Sequence, residues 1–276
     1  MAFRSSATAF SNTGSVTLTA TPAGVAVDDY LAGFLAQDST THGAATPVGG
    51  WGLVENREMA TPDSQQLQFF EKTAAGGDSF TTGIVLDANS CRLDMQAWSG
   101  RATTTTRTHS YAEKNTTTTS PLTVSTANAT SGTVGVASAA GDDVMMIVSL
   151  DQQAVGDVWS QTTNPSAYTE RQDNANDWIN LASATRDNVA GGGDGALSAV
   201  HTRSVGTSGS GWQAITITLR QSAAADILGA LTSRNRRPGN GPGQIGSRFY
   251  KRQAAYTEAP IASDGFLNRN YWWGNY

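Results

Sequence analysis

The chain is short of the residues on which most chemistry depends. Cys91 is its one cysteine, so an intrachain disulfide is excluded and the fold cannot rest on bridges. Cys91 sits between Ser90 and Arg92 on an expected strand and reads as a buried thiol. There are three histidines, His42, His109 and His201, far apart and each beside Thr or Ser. They read as solvated surface residues, although a Ser-His-Asp triad assembles from distant positions and spacing alone does not exclude one. No G-x-S-x-G elbow is present. No apolar run approaches the roughly 18 residues of a membrane-spanning helix. The start, Met1-Ala2-Phe3-Arg4-Ser5-Ser6, lacks the apolar core of a secretory signal, so synthesis in the cytoplasm is expected. Charge is scarce too, at 15% of residues, and it is unevenly spread. Seven of the 18 Lys/Arg and three of the 23 Asp/Glu fall in 222–276, so that segment carries +4 and the remainder −9. An acidic body weighs against a nucleic-acid partner.

What the chain has in abundance is Gly, Ser, Thr, Ala and Asn, with short β-branched alternations. Those residues favour strands joined by many turns. Ser15 to Thr19 alternates polar and apolar, and Tyr30 to Leu35 is a continuous apolar run suited to a strand buried on both faces. Further strands are expected from Trp51, over Gln66–Lys72, Phe80–Leu86 and Cys91–Trp98, and in the second part over Val144–Leu150, Ala167–Arg171, Trp178–Thr185, Ala196–Arg203 and Gln213–Arg220. That makes roughly ten strands, which suits an all-β, two-sheet jelly-roll-like sandwich.

A faint internal repeat runs through this pattern. Val27-Asp28-Asp29-Tyr30-Leu31 opens one apolar run, and Gly141-Asp142-Asp143-Val144-Met145 opens another. Each leads to a Pro with an aromatic close behind, Pro47 with Trp51 and Pro165 with Tyr168. Each half then closes on a strand containing a tryptophan, Trp98 or Trp212. The expectation is a body over 1–221, made of related halves at about 1–100 and 134–221 that pack as one sandwich. A Thr-rich crossover, 101–133, joins them.

Candidate sites are few. The pairs Asp28-Asp29 and Asp142-Asp143 offer oxygen ligands to calcium, but they lack the further carboxylates of a calcium loop and read better as turn caps before a strand. Glu170, Asp173, Asp177 and Asp187 offer carboxylates for glycoside cleavage, with ordinary acidic loops as the competing reading. Gly191-Gly192-Gly193-Asp194 is followed by no Lys-Ser/Thr and is not a phosphate loop. Neither a cofactor nor a metal is expected. Trp98 and Trp212 read as core. Trp159 and Trp178 lie among polar residues and are candidates for stacking on a sugar or contacting a receptor.

Beyond Gln221 the composition changes. Ala223 to Ser233 reads as a short helix, and 237–243 is too rich in Pro and Gly for regular structure. Eight of the chain's 22 aromatics lie between Phe249 and Tyr276. Arg, Tyr and Trp are the residues preferred at protein interfaces. The segment 222–276 therefore reads as an extended docking arm. Its partner-binding residues are Arg234, Arg236, Arg237, Phe249, Tyr250, Arg252, Tyr256, Phe266, Arg269, Tyr271, Trp272, Trp273 and Tyr276.

Several short motifs carry a resemblance to a family. They are Ala2-Phe3-Arg4-Ser5-Ser6 before a Thr-rich strand, Asp28-Asp29-Tyr30-Leu31, Pro47-Val48-Gly49-Gly50-Trp51, Phe69-Phe70-Glu71-Lys72 and Ala97-Trp98-Ser99-Gly100. The second half adds Gly141-Asp142-Asp143-Val144, the stretch Pro165 to Arg171, and Ala214 to Arg220. Over about 2–221 the chain resembles tailed-bacteriophage virion proteins built on a duplicated jelly-roll-like sandwich. The resemblance implies a non-enzymatic structural part of the particle: head decoration, fibre or tail accessory. Its implied partners are other virion proteins, copies of itself and, for a receptor-binding part, a host surface glycan. The arm lies outside the resemblance.

Overall fold

The computed structural model describes residues 2–11, 16–38, 45–59, 65–84, 90–100, 108–115, 122–151, 158–160, 168–174, 179–187, 199–202 and 211–220. The chain divides into units Met1–Ala223 and Ala224–Tyr276, and all described residues belong to the first. The expected helix at 223–233 and the arm lie outside them. Among the described residues the protein is all-β apart from one 3-10 turn, Thr126–Asn128. No described helix is long and apolar enough to cross a membrane.

The first half contributes β1 (Ala2–Ser11), β2 (Val16–Ala20), β3 (Tyr30–Asp38), β4 (Thr46–Val48), β5 (Gly52–Met59), β6 (Gln65–Thr73), β7 (Phe80–Ile84) and β8 (Ser90–Ser99). The second contributes β9 (His109–Lys114), β10 (Leu122–Val124), β11 (Ser131–Gly132), β12 (Asp143–Asp151), β13 (Val158–Ser160), β14 (Thr169–Asn174), β15 (Ile179–Arg186), β16 (Ala199–Thr202) and β17 (Trp212–Leu219). Strands β9 and β10 fall within the Thr-rich 101–133, so that segment holds the first two strands of the second half.

These strands form four antiparallel sheets, where composition led us to expect two. Half one has an inner sheet, β1-β8-β3-β6-β5, and an outer sheet, β2-β7-β4. Half two has an inner sheet, β11-β9-β17-β12-β15-β14, and an outer sheet, β10-β16-β13. Leaving out β11, the two orders are the same strand for strand. In each half the pairing is nested: first strand with last, second with second-last, third with third-last.

Three apolar cores separate the four layers. Leu31, Leu35, Phe70, Leu93 and Met95 of the first inner sheet meet Leu18 and Phe80 of its outer sheet. Val144, Met146, Val148 and Trp212 of the second inner sheet meet Val124. Between the inner sheets lies a third core, the seam, where Phe34, Phe69 and Trp98 meet Met145, Ile147, Leu181, Ile215 and Ile217. Each half is thus a sandwich of its own, and the two pack through their inner sheets. The physical cause is visible in β3 and β12. An inner strand is covered on both faces, so it must be apolar at successive positions rather than at alternate ones. Gly33 marks how closely the layers approach, since a Cβ there would stand 3.0 Å from the Phe80 ring.

The duplication reaches single atoms. Asp29 accepts a hydrogen bond from the Ala26 N–H at 2.8 Å, and Asp142 accepts the same bond from Ala139 at 2.8 Å. These aspartates cap a turn before each central strand, as expected. The residue ahead of each takes a positive φ, Asp28 at 67° and Gly141 at 89°. That conformation is cheap for Gly and tolerable for Asp. Trp51 and Tyr168 occupy matching places ahead of β5 and β14, each nearly buried in its outer core. Trp98 and Trp212, in contrast, are not equivalent. Trp98 pairs with Tyr30 at the start of β3 and faces the seam, whereas Trp212 pairs with Leu150 near the end of β12 and faces away from it. Cys91 is buried, and burial pushes its thiol up to about 11.

Candidate functional site

The clearest cleft among the described residues opens at one edge of the seam, where β5 of the first half meets β9 of the second. Its volume is about 360 Å³, and it is lined by Glu55, Arg57, Glu58, His109, Ser110, Tyr111, Glu113, Ser131 and Gly132. A β-bulge builds one wall. The register of β5 slips between Leu53 and Glu55, leaving Val54 unpaired. Without that extra residue, strict alternation would turn Glu55 away from the seam. With it, Glu55 stands opposite Phe69 and Arg57 opposite Leu67, both residues of the seam core. The facing wall follows from plain alternation, which puts His109, Tyr111 and Glu113 on one side of β9.

The side chains interlock. Glu55 receives His109 Nε2 at 3.0 Å on one oxygen and Arg57 Nε at 2.9 Å on the other. The Arg57 guanidinium lies 4.9 Å from the centre of the Tyr111 ring. Tyr111 donates its hydroxyl to Glu113 and accepts from Gln213 Nε2 at 2.8 Å. Gln213 also donates to the Arg57 carbonyl at 3.1 Å, and Ser131 donates to Glu113 at 3.3 Å. Burial first, and then the bond to Glu113, push the Tyr111 phenol well above its ordinary value, so it remains a donor. Gly132 takes a φ of 80°, and a Cβ there would meet the Tyr111 carbonyl oxygen at 2.1 Å. Only glycine lets β11 close against β9. The result is a polar cleft whose carboxylates and hydroxyls are oriented from both halves at once.

The opposite edge of the seam is its internal counterpart, and it is filled. A matching bulge in β14, between Glu170 and Gln172, turns Gln172 inward, where it donates to Ser6 of β1. The register makes this pair the equivalent of Glu55 with His109. The bulged Arg171 lies 4.5 Å from the Phe3 ring centre and 5.8 Å from that of Trp98. It bonds Thr185 at 2.7 Å and Asp187 at 3.1 Å. Stacked cation and rings close this edge. Of the carboxylates weighed for glycoside cleavage, Asp187 is thus an exposed ion-pair partner and Glu170 is exposed on β14.

The docking-arm residues Arg234, Arg236, Arg237, Phe249, Tyr250, Arg252, Tyr256, Phe266, Arg269, Tyr271, Trp272, Trp273 and Tyr276 lie outside the described residues, as do Trp178, Asp177 and His42. Trp159 pairs with His201 between β13 and β16, where only the backbone is described. His109 is not the solvated surface residue its neighbours implied, because it is held by Glu55 inside the cleft. Glu55, Arg57 and Tyr111 were missed as site residues. The alternation of His109, Tyr111 and Glu113 was a readable signal for one wall, but the bulge that turns Glu55 inward has none. Searches against protein-family models, curated proteins and solved structures find no match for this chain.

Proposed function

We propose that this chain is a non-enzymatic structural component of a tailed-bacteriophage virion, a head decoration, fibre or tail accessory protein. Its body is two jelly rolls packed back to back, and the segment 222–276 anchors it to neighbouring subunits. The observation that carries this reading is the nested pairing repeated in both halves. Nested pairing of this kind is similar to the winding of a double-sheet jelly roll, an architecture that recurs in viral capsid and lectin domains. The resemblance of its short motifs to those of virion proteins and the basic, aromatic composition of 222–276 support it. Burying one large aromatic of the arm contributes on the order of 2–3 kcal/mol before ordering costs. Repeated sites on a symmetric particle add avidity.

The test is particle association. The full chain and a chain ending at Gln221 are added to particles lacking the native protein. Binding by the full chain alone supports an anchoring arm with a displayed body. Equal binding by both places the assembly contacts on the body instead.

A second reading is a carbohydrate- or receptor-binding module displayed on the virion, using Trp159 and Trp178. The open seam-edge cleft favours it, because clustered carboxylates and hydroxyls are the groups that bond sugar hydroxyls. It requires saturable glycan binding that is lost on Trp159→Ala or Trp178→Ala.

A further inference from the structure

We propose that Asp94 is a proton-dependent latch across the seam: neutral while the two halves are closed on each other, and loosening them when it ionises. Asp94 lies at the middle of β8 and is fully buried. One of its oxygens, Oδ2, accepts from Gln96 Nε2 at 2.7 Å and from Ser183 Oγ at 3.3 Å. Ser183 belongs to β15 of the other half, and Gln96 also donates to it at 2.6 Å. These three side chains form a direct polar link between the inner sheets.

The link is suited to a neutral acid. Asp94 Oδ1 and Gln96 Oε1 have no hydrogen-bond partner among the described residues. Both are acceptors, so a carboxylate would leave charge on a buried oxygen that nothing donates to. A protonated Asp94 spreads no charge there and gains a donor. The strands around it supply no compensating cation. Register places Thr8 of β1 and Phe34 of β3 on either side, with Ser6 and Ala32 next to them. Across the seam β15 presents Leu181 and Ser183, and β12 presents Met145 and Ile147. Among the described residues, the charged side chains along this stretch are Arg92 and Arg171. Arg92 donates to the Ile179 carbonyl at 3.1 Å and lies over Phe10, while Arg171 is held by Asp187 and the rings of Phe3 and Trp98. Burial accordingly pushes the Asp94 carboxyl up to about 7, although its bonds from Gln96 and Ser183 act the other way.

The duplication shows that the fold does not require this group. Asp94 pairs with Phe34, whose equivalent Ile147 pairs with Ile215; Gln96 pairs with Ala32, whose equivalent Met145 pairs with Ile217. The second half therefore fills the same two places with isoleucines, both in the seam core. The polar pair thus occupies places in one half that are apolar in the other.

The direction of the pH effect follows. Folding raises this carboxyl from its ordinary 3.8 to about 7, so the folded state holds a proton that the unfolded chain has released. The stabilisation is complete below the lower value, is lost as pH rises toward the higher one, and changes no further above it. Each pH unit in that window weakens the folded state by up to about tenfold, roughly a thousandfold in all.

Hydrogen exchange and thermal unfolding of the full chain test the latch at about pH 5, where folded Asp94 still holds its proton, and at about pH 9, where it has lost it. Exchange is corrected for its intrinsic pH dependence. The expected result is faster exchange in β8 and β15 and a lower Tm at the higher pH. Asp94→Asn keeps the shape without the charge. It should exceed the native Tm modestly at the lower pH, where the unfolded native chain has already ionised, and by much more at the higher one. The same alkaline loss in Asp94→Asn, or no loss in the native chain, overturns the proposal. Should Asp94→Asn fail to fold, infrared spectra of the native protein decide. A protonated-carboxyl C=O band should persist at about pH 6, where ordinary carboxylates have ionised, and vanish by about pH 9. Its absence at the lower of these values refutes the latch.

Discussion

Replacing Phe34 by alanine tests whether the seam joins the two halves into one cooperative body. Phe34 lies on the central strand of the first half, is fully buried, and stacks on Phe69 with ring centres 5.1 Å apart and planes at 13°. Its neighbours across the seam belong to the second half. Truncating a buried Phe costs about 3–5 kcal/mol in transfer and cavity terms, and loss of the aromatic pair accounts for about 0.5–1.5 kcal/mol. A net loss of about 4 kcal/mol is therefore expected, a large share of a typical domain's stability of about 5–15 kcal/mol. Urea unfolding of the full chain measures the magnitude. Hydrogen exchange reads where it is felt: protection should fall in β12 and β17 as well as in β3 and β6. Phe80→Ala is the control, because Phe80 lies in the outer core of the first half and should weaken that half first. A cost for Phe34→Ala below about 1 kcal/mol, or protection lost only in the first half, would refute the back-to-back packing.

Three further outcomes follow from local geometry. Gly132→Ala should destabilise by about 2–4 kcal/mol in a urea melt, because its Cβ has no room beside the Tyr111 carbonyl and its φ is left-handed. Asp29→Ala and Asp142→Ala should each cost about 1 kcal/mol, since each removes the same turn acceptor. Asp29 should cost slightly more, because it also pairs with Arg4 at 2.7 Å, a contact weakened by the exposure of the arginine. Cys91 should stay unreactive toward a thiol reagent at about pH 8 until denaturant is added, given its burial and raised pKa. Labelling at the rate of a free thiol in the folded protein would contradict that burial.

The sequence by itself determined the features that depend on a few neighbouring residues. The apolar run from Tyr30, the Asp29 and Asp142 turn caps, the all-β class and the existence of a repeat were all legible, because caps and continuous apolar runs are local signals. Strand β1 was not. Ala2 to Ser11 is half polar, with no continuous apolar run, and becomes a strand by pairing with β8, about ninety residues later. The expectation of a single two-sheet sandwich had the same origin. Composition counts apolar residues but does not say that β3 and β12 each serve two cores. Nor does it reveal the bulges at Val54 and Arg171, which shift the alternation by one residue and so decide whether Glu55 and Gln172 face the seam. Tertiary structure alone decided that His109 meets Glu55, and that Asp94 lies buried opposite Ser183. Those partners lie 54 and 89 residues apart in the chain, and only sheet register and layer packing bring them together.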